Sequence, residues 1–187
     1  MKNKVLPLLM LFCFACFGGA RAEVVTIGTG TSTGQNSLPV KSDWNYFVTQ
    51  QIYTAAEIGT NGVINSISFN YYNGAGPFSM SGIQVYMKHT SKTQFNNTKD
   101  MVQVSPIDKV YDGTFSASGA GWVTISLDTP FIYDGSSNLL VCFYTPVINN
   151  LGSSINMFYY TNIEDVYPGT AYYSHSNIDH SNLAYYS

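Results

Sequence analysis

The residues that could perform acid–base chemistry are few and unfavourably spaced. Glu164 and Asp165 are neighbours, so on a strand they would point to opposite faces. A glycoside hydrolase instead needs two carboxylates that face one cleft. Asp108 and Asp112 lie on either side of a lysine and are typical of solvated sheet edges. We therefore expect a protein that is not an enzyme, with a small sandwich hydrolase as the less favoured alternative.

A histidine-containing segment near the end of the sequence is the sharpest candidate for metal or catalytic chemistry. His175 and His180 are five residues apart, so they would not lie on the same face of either a helix or a strand. Zinc ligands need to converge on one point, which this spacing does not favour. Asp179 lies between them, but no third ligand of matching geometry can be named. We expect a polar loop here and no cofactor. Structural calcium stays open without assigned ligands, because Asp, Asn and backbone carbonyls are abundant in the predicted turns.

Two isolated reactive side chains have structural interpretations. Cys142 lies in the apolar run 139–144, which predicts a half-buried thiol that acts as a small hydrophobic group. His89 is in line with Val85 and Met87, which predicts a partly buried histidine whose hydrogen bonds are satisfied.

The first 22 residues have the composition of a secretory signal peptide. Two lysines precede an apolar run at 5–17, and a small-x-small cleavage pattern ends at Ala22. The run is too short to span a bilayer. We expect residues 1–22 to be a signal peptide and 23–187 to be a single exported domain that works at the cell surface or in the extracellular medium.

The expected mature chain is acidic. It keeps five lysines and all eleven acidic residues, so its formal charge becomes −6. Nucleic acids and anionic membrane surfaces both attract clustered Lys and Arg, so neither is an expected partner. No second apolar run approaches the roughly 20 residues of a transmembrane helix. We expect the partner to be a host or cell-surface protein or a glycan, with the oligomeric state undetermined.

Alternation with a period of two predicts β-strands along most of the chain. Three stretches alternate in this way, with their apolar members at Val63, Ile67, Phe69 and Tyr71, at Ile83, Val85 and Met87, and at Val123, Ile125 and Leu127. The continuous apolar runs 139–144 and 157–160 are typical of central strands, and 54–58 can form one helical turn. Trp122 opens an alternating strand, and we expect it to cap one end of the core. About ten strands separated by turns predict an all-β, antiparallel β-sandwich.

Six segments in a fixed order carry a family resemblance: 50–59, 64–69, 83–95, 109–113, 121–135 and 138–141. The series resembles β-sandwich modules of large Bacteroidetes surface proteins, related to the cleaved adhesin domains of gingipains and haemagglutinins. The resemblance implies a jelly-roll-like sandwich, surface or secreted placement, and non-catalytic adhesion or ligand binding. Such modules usually close with a further strand, whereas this sequence stops at Ser187, so we expect either a C-terminally truncated product or a small stand-alone member.

Aromatic residues are the best candidates for ligand contacts. Three of the 28 aromatic residues lie in the leader, and the 25 that remain exceed what one core requires. Tyrosine and tryptophan can stack on sugar rings or pack against a protein. We expect Trp44, Tyr46, Tyr172 and Tyr173 to bind the ligand. Three alternatives remain beside a protein adhesin: a carbohydrate-binding module of a polysaccharide-utilisation system, the hydrolase, and a subunit that polymerises through an unpaired strand edge.

Overall fold

The computed structural model describes residues 23–28, 30–32, 39–40, 47–72, 76–97, 100–145, 158–159 and 170–174, the last segment by its backbone. The predicted signal peptide lies outside these ranges. No helix in the described part of the chain is long and apolar enough to cross a membrane.

Within the described ranges the chain forms seven strands and two short helical turns. In chain order these are β1 (Phe47–Tyr53), α1 (Ala55–Ile58), β2 (Gly62–Tyr71), β3 (Phe78–Thr90), a 3₁₀ turn (Pro106–Asp108), β4 (Lys109–Ala117), β5 (Gly121–Tyr133), β6 (Asn138–Thr145) and β7 (Thr170–Ser174).

The strands form two antiparallel sheets. The larger has the order β4-β3-β6-β1-β7, and the smaller pairs β2 with β5. Strand β6 pairs with β3 on one side and with β1 on the other, so it lies at the centre of the larger sheet. The predicted all-β, antiparallel sandwich is therefore confirmed, as is the central position of the run 139–144.

The main core lies between the two sheets and is rich in aromatic rings. Phe69 of β2 meets Phe143 of β6 edge to face, with the ring centroids 5.5 Å apart. Phe158 stacks on Phe115 of β4 at 5.7 Å. These contacts join residues far apart in sequence, and buried apolar surface of this kind contributes about 25 cal/mol per Å² to stability.

The predicted alternation of β2 is correct at one end and wrong at the other. Ile67, Phe69 and Tyr71 face the core as expected, but Val63 is exposed. The reason is an irregularity in the pairing with β5, which lets Ile64 pack into the core in place of Val63. A bulge shifts the facing of every residue beyond it, which simple alternation does not anticipate.

The connection from β3 to β4 covers the opposite face of the larger sheet. Phe95 and Val104 from this connection are buried against residues of β1, β3 and β6 in a second apolar cluster. Gln50 of β1 holds it in place: its Nε2 donates to the Val102 carbonyl at 2.7 Å, and its Oε1 accepts from the Val102 N–H at 2.8 Å. Strand β6 is consequently buried on both faces.

The helical turn predicted at 54–58 is present as α1. Thr54 caps it by accepting a hydrogen bond from the Glu57 N–H, and Glu57 accepts one from the Thr54 N–H. This reciprocal capping box satisfies two backbone donors that a helix start leaves unpaired. Asn138 at the start of β6 accepts from the Ala55 N–H at 2.9 Å, so the turn is tied to the larger sheet.

Candidate functional site

The candidate site is the solvent-facing side of the smaller sheet, which we call the outer β2–β5 face. It comprises three residues of β2 and three of β5 that lie opposite one another in the ladder: Ser66 with Ser126, Ser68 with Thr124, and Asn70 with Trp122. Their neighbours Ile67, Phe69, Val123 and Ile125 pack into the core. Because successive strand residues point to opposite sides, the six residues share the outward side.

Trp122 is the most prominent residue of this face, with 60% of its surface exposed. The expectation that it caps one end of the core is therefore wrong. Trp122 lies two residues before Thr124 and four before Ser126, so on a strand it shares their solvent-facing side, and this spacing is visible in the sequence. That spacing of two was the signal that could have identified Trp122 as a surface residue.

A third chain segment extends the outer β2–β5 face. Phe158 bridges to Tyr71 in antiparallel fashion, and the Tyr159 N–H donates to the Asn70 carbonyl at 2.9 Å. Phe158 is buried whereas Tyr159 is exposed, so Tyr159 emerges on the same side as Asn70. Trp122, Asn70 and Tyr159 thus form a row across three neighbouring segments, which we call the aromatic row.

Another tyrosine supports one end of the aromatic row. The ring of Tyr72 lies 5.7 Å from that of Tyr159, at an interplanar angle of 53°. Such tilted ring pairs are favourable by about 0.5 to 1.5 kcal/mol beyond the area that they bury. The contact therefore restrains Tyr159 on the surface.

Hydroxyl groups occupy the middle of the face. Ser68 Oγ lies 2.8 Å from Thr124 Oγ1, and either oxygen can be the donor. A hydroxyl has one hydrogen and two acceptor positions, so this contact uses only one of the two hydrogens. The other hydroxyl hydrogen and several lone pairs stay available to a ligand.

An interruption of the β2–β5 ladder bounds the face at one end. Ile64 pairs with Phe131 and Ser66 with Ser126, so residues 127–130 stand opposite the single residue Asn65. Pro130 lies in this stretch and cannot donate a ladder hydrogen bond. Beyond the interruption, Val63 and its partner Ile132 form a smaller exposed apolar pair.

Of the four ligand-binding residues predicted from the sequence, two lie outside the described residues and two are described only by their backbones. Trp44 and Tyr46 lie outside the described residues. Tyr172 and Tyr173 belong to β7, where their backbones pair with Thr49 and Val48 of β1 in the larger sheet. The role of these four residues stays a prediction.

The candidates for chemistry are dispersed or lie outside the described ranges. Glu164 and Asp165, like the segment from His175 to His180, are not among the described residues. Asp108 is less solvated than predicted, because it accepts hydrogen bonds from the Ser105 N–H and Oγ at 2.8 and 2.9 Å. No group of three or more His, Cys, Asp or Glu that could hold a metal ion occurs within the described ranges.

The two isolated reactive side chains have structural roles. Cys142 is fully buried, more so than predicted, and burial raises the pKa of its thiol to about 12. His89 is partly exposed, and its Nε2 accepts from the Asp134 N–H at 3.2 Å, as expected of a satisfied histidine. Hydrogen bonds from the Ser137 and Ser136 N–H groups hold the pKa of the Asp134 carboxyl well below its usual range. Asp134 therefore stays ionised and closes the turn before β6.

Comparisons of the chain with protein families, curated proteins and solved structures found no match.

Proposed function

We propose that this protein is an exported, non-catalytic recognition module that contacts its partner through the outer β2–β5 face. The observation that carries the proposal is the exposure of Trp122 in the part of β5 that pairs with β2 without a register shift, from Ser126 to Gly121. A buried tryptophan side chain contributes several kcal/mol, at about 25 cal/mol per Å² over 150 to 250 Å². Because the fold leaves much of the Trp122 ring in water, a partner that covers this ring gains part of that free energy on binding.

The neighbours of Trp122 support recognition over catalysis. The other five residues of the face carry only hydroxyl and amide groups. These groups can hydrogen-bond a ligand, but they do not titrate in the range that general acid–base catalysis needs. The leader sequence and the resemblance to cleaved adhesin domains support placement at the cell surface or in the medium.

A binding experiment tests this proposal. The purified chain is labelled with a fluorophore, and its binding to host epithelial cells and to bacterial cells is measured by flow cytometry. We expect saturable binding to at least one of the two, reduced at least tenfold by Trp122→Ala.

Ile107→Ala is the matched control. Ile107 is 91% exposed on the 3₁₀ turn that precedes β4, in the other sheet, so its loss removes exposed apolar surface from a different place. Binding by this variant should equal that of the wild type. The proposal is wrong if the chain binds neither cell type, if both variants bind alike, or if the purified chain hydrolyses polysaccharide at its outer face.

A further inference from the structure

We infer that the ligand of the outer β2–β5 face is a neutral glycan, with one sugar ring stacked on Trp122. This inference rests on the proposed recognition function and names its ligand class. Its three supports are the spacing of the aromatic row, the hydrogen-bonding groups beside it, and the lack of charge on the face.

The aromatic row offers two rings as a platform on the outward side of the sheet. Trp122 and Tyr159 are separated by Asn70, and neighbouring strands are about 4.8 Å apart, so the two aromatic positions lie about 9 to 10 Å apart. That span exceeds one six-membered ring and suits consecutive rings of an oligosaccharide. Aromatic faces carry partial negative charge, which attracts the C–H groups on the apolar side of a sugar ring.

Asn70 supplies polar contacts between the two rings of the platform. Its backbone carbonyl accepts from Tyr159, but among the described residues no group hydrogen-bonds its side-chain amide. An amide has two donor hydrogens and an acceptor oxygen, and a pair of neighbouring sugar hydroxyls can use both kinds. The Ser68–Thr124 hydroxyl pair, one step along the ladder, can still donate one hydrogen bond and accept others.

The charge of the surface selects a neutral ligand. None of the six residues of the outer β2–β5 face is charged, and the whole chain has a formal net charge of −3. The nearest charge along β5 is the exposed Asp128, whose carboxylate already accepts from the Asp112 N–H at 2.9 Å. Uronic acids, sialic acids and sulfated sugars would therefore find no cation among these six residues to pair with.

The same composition disfavours a protein as the partner. A stable protein interface covers about 800 Å² on each side and has an apolar centre with a polar rim. Here the hydroxyl pairs Ser66–Ser126 and Ser68–Thr124 form the centre, whereas Trp122 and the Val63–Ile132 pair lie towards the two ends. Polar groups at the centre and aromatic rings beside them match a ligand that is itself amphipathic and rich in hydroxyls.

The test is binding of the purified chain to an array that carries neutral, uronic, sialylated and sulfated glycans. Hits are then titrated by calorimetry with the corresponding oligosaccharide. We expect binding to at least one neutral glycan and none to the acidic sets. Trp122→Ala should weaken that binding at least tenfold, Asn70→Ala at least threefold, and Trp122→Phe less than Trp122→Ala.

A spectroscopic readout separates contact at the face from an indirect effect. The chain has two tryptophans, Trp44 and Trp122. The tryptophan emission should shift to shorter wavelength as the glycan excludes water, and the part of this shift that Trp122→Ala removes comes from Trp122. Ile107→Ala should bind like the wild type. Trp122→Ala should still unfold in one cooperative thermal transition, because 60% of the Trp122 surface is exposed in the folded chain.

The outcomes distinguish the two proposals. Selective binding of acidic glycans, or neutral-glycan binding unaffected by Trp122→Ala, overturns the glycan inference. If no glycan binds but Trp122-dependent cell binding persists after the cells are deglycosylated, the partner is a protein: the glycan inference fails and the recognition function stands. If neither cells nor glycans are bound, both proposals fail.

Discussion

Replacement of Gln50 tests the account of how the connection between β3 and β4 is held on the larger sheet. Gln50 is 2% exposed, and its amide makes two hydrogen bonds with the backbone of Val102. Gln50→Met keeps the length and flexibility of the side chain but removes both bonds. The Val102 N–H and carbonyl then lose their partners at a half-buried position.

The expected loss of stability follows from these two bonds. Each intramolecular hydrogen bond contributes about 0.5 to 1.5 kcal/mol net, and a buried backbone group without a partner costs about 1 to 3 kcal/mol. Burial of the methionine thioether offsets part of the loss, and water can reach part of Val102. We expect Gln50→Met to lower the free energy of unfolding by about 2 to 4 kcal/mol. For a domain of this size, that loss corresponds to a decrease of about 4 to 16 °C in the midpoint of thermal unfolding.

Gln50→Glu adds a test with a defined pH dependence. The protonated carboxyl can donate to the Val102 carbonyl and accept from its N–H, as the amide does, whereas the carboxylate faces the carbonyl oxygen in a buried place. Both effects raise the pKa of the introduced carboxyl in the folded state above its ordinary value of about 4.3. Its stabilising contribution is therefore complete below pH 4 and is lost as the pH rises through the folded-state pKa.

The assay is urea denaturation followed by circular dichroism at pH 4 and pH 7. Gln103→Met is the control, because Gln103 is an exposed neighbour of Val102 and its replacement should change stability by less than about 0.5 kcal/mol. A Gln50→Met variant as stable as the wild type would show that the Gln50 side chain does not hold the connection in place. A stability deficit of Gln50→Glu that is larger at pH 4 than at pH 7 would contradict the expected hydrogen bonds to Val102.

Two further predictions concern a buried thiol and a turn. Cys142 is fully buried and the pKa of its thiol is raised, so the native protein should not react with a thiol reagent such as dithionitrobenzoate at pH 8. The urea-unfolded protein should react within minutes. Rapid reaction of the native chain would show that the second apolar cluster opens. Gly135 has a φ of 74°, and a Cβ there would lie 2.7 Å from Asn61 Cβ, so Gly135→Ala should destabilise the fold by at least about 1 to 2 kcal/mol in thermal unfolding. Gly119→Ala is the control, because a Cβ at position 119 would have nothing within 4 Å. Equal thermal unfolding midpoints for the two variants would show that the turn does not require glycine at position 135.

Local features of the fold were predictable because they depend on neighbours in sequence. Alternation placed Ile67 and Phe69 towards the core, and the apolar run 139–144 indicated a central strand. Thr54 and Glu57 form a capping box whose two partners are three residues apart. Each of these signals is contained in a few consecutive residues, so no knowledge of the other strands is needed to interpret it.

The candidate site depends on contacts that the local pattern does not contain. Trp122 comes to lie beside Asn70, and Asn70 beside Tyr159, only when three segments whose residues are 37 to 89 positions apart pair in register. The irregularity that exposes Val63 likewise arises from the unequal numbers of residues in two paired strands. The sequence by itself determined the all-β class, the inward faces where the strand pairing has no irregularity, and the acidic, lysine-poor composition, because those are properties of short stretches and of composition. Only the tertiary structure decided which outward side chains share a surface, because strand pairing and register are set by packing between residues distant along the chain.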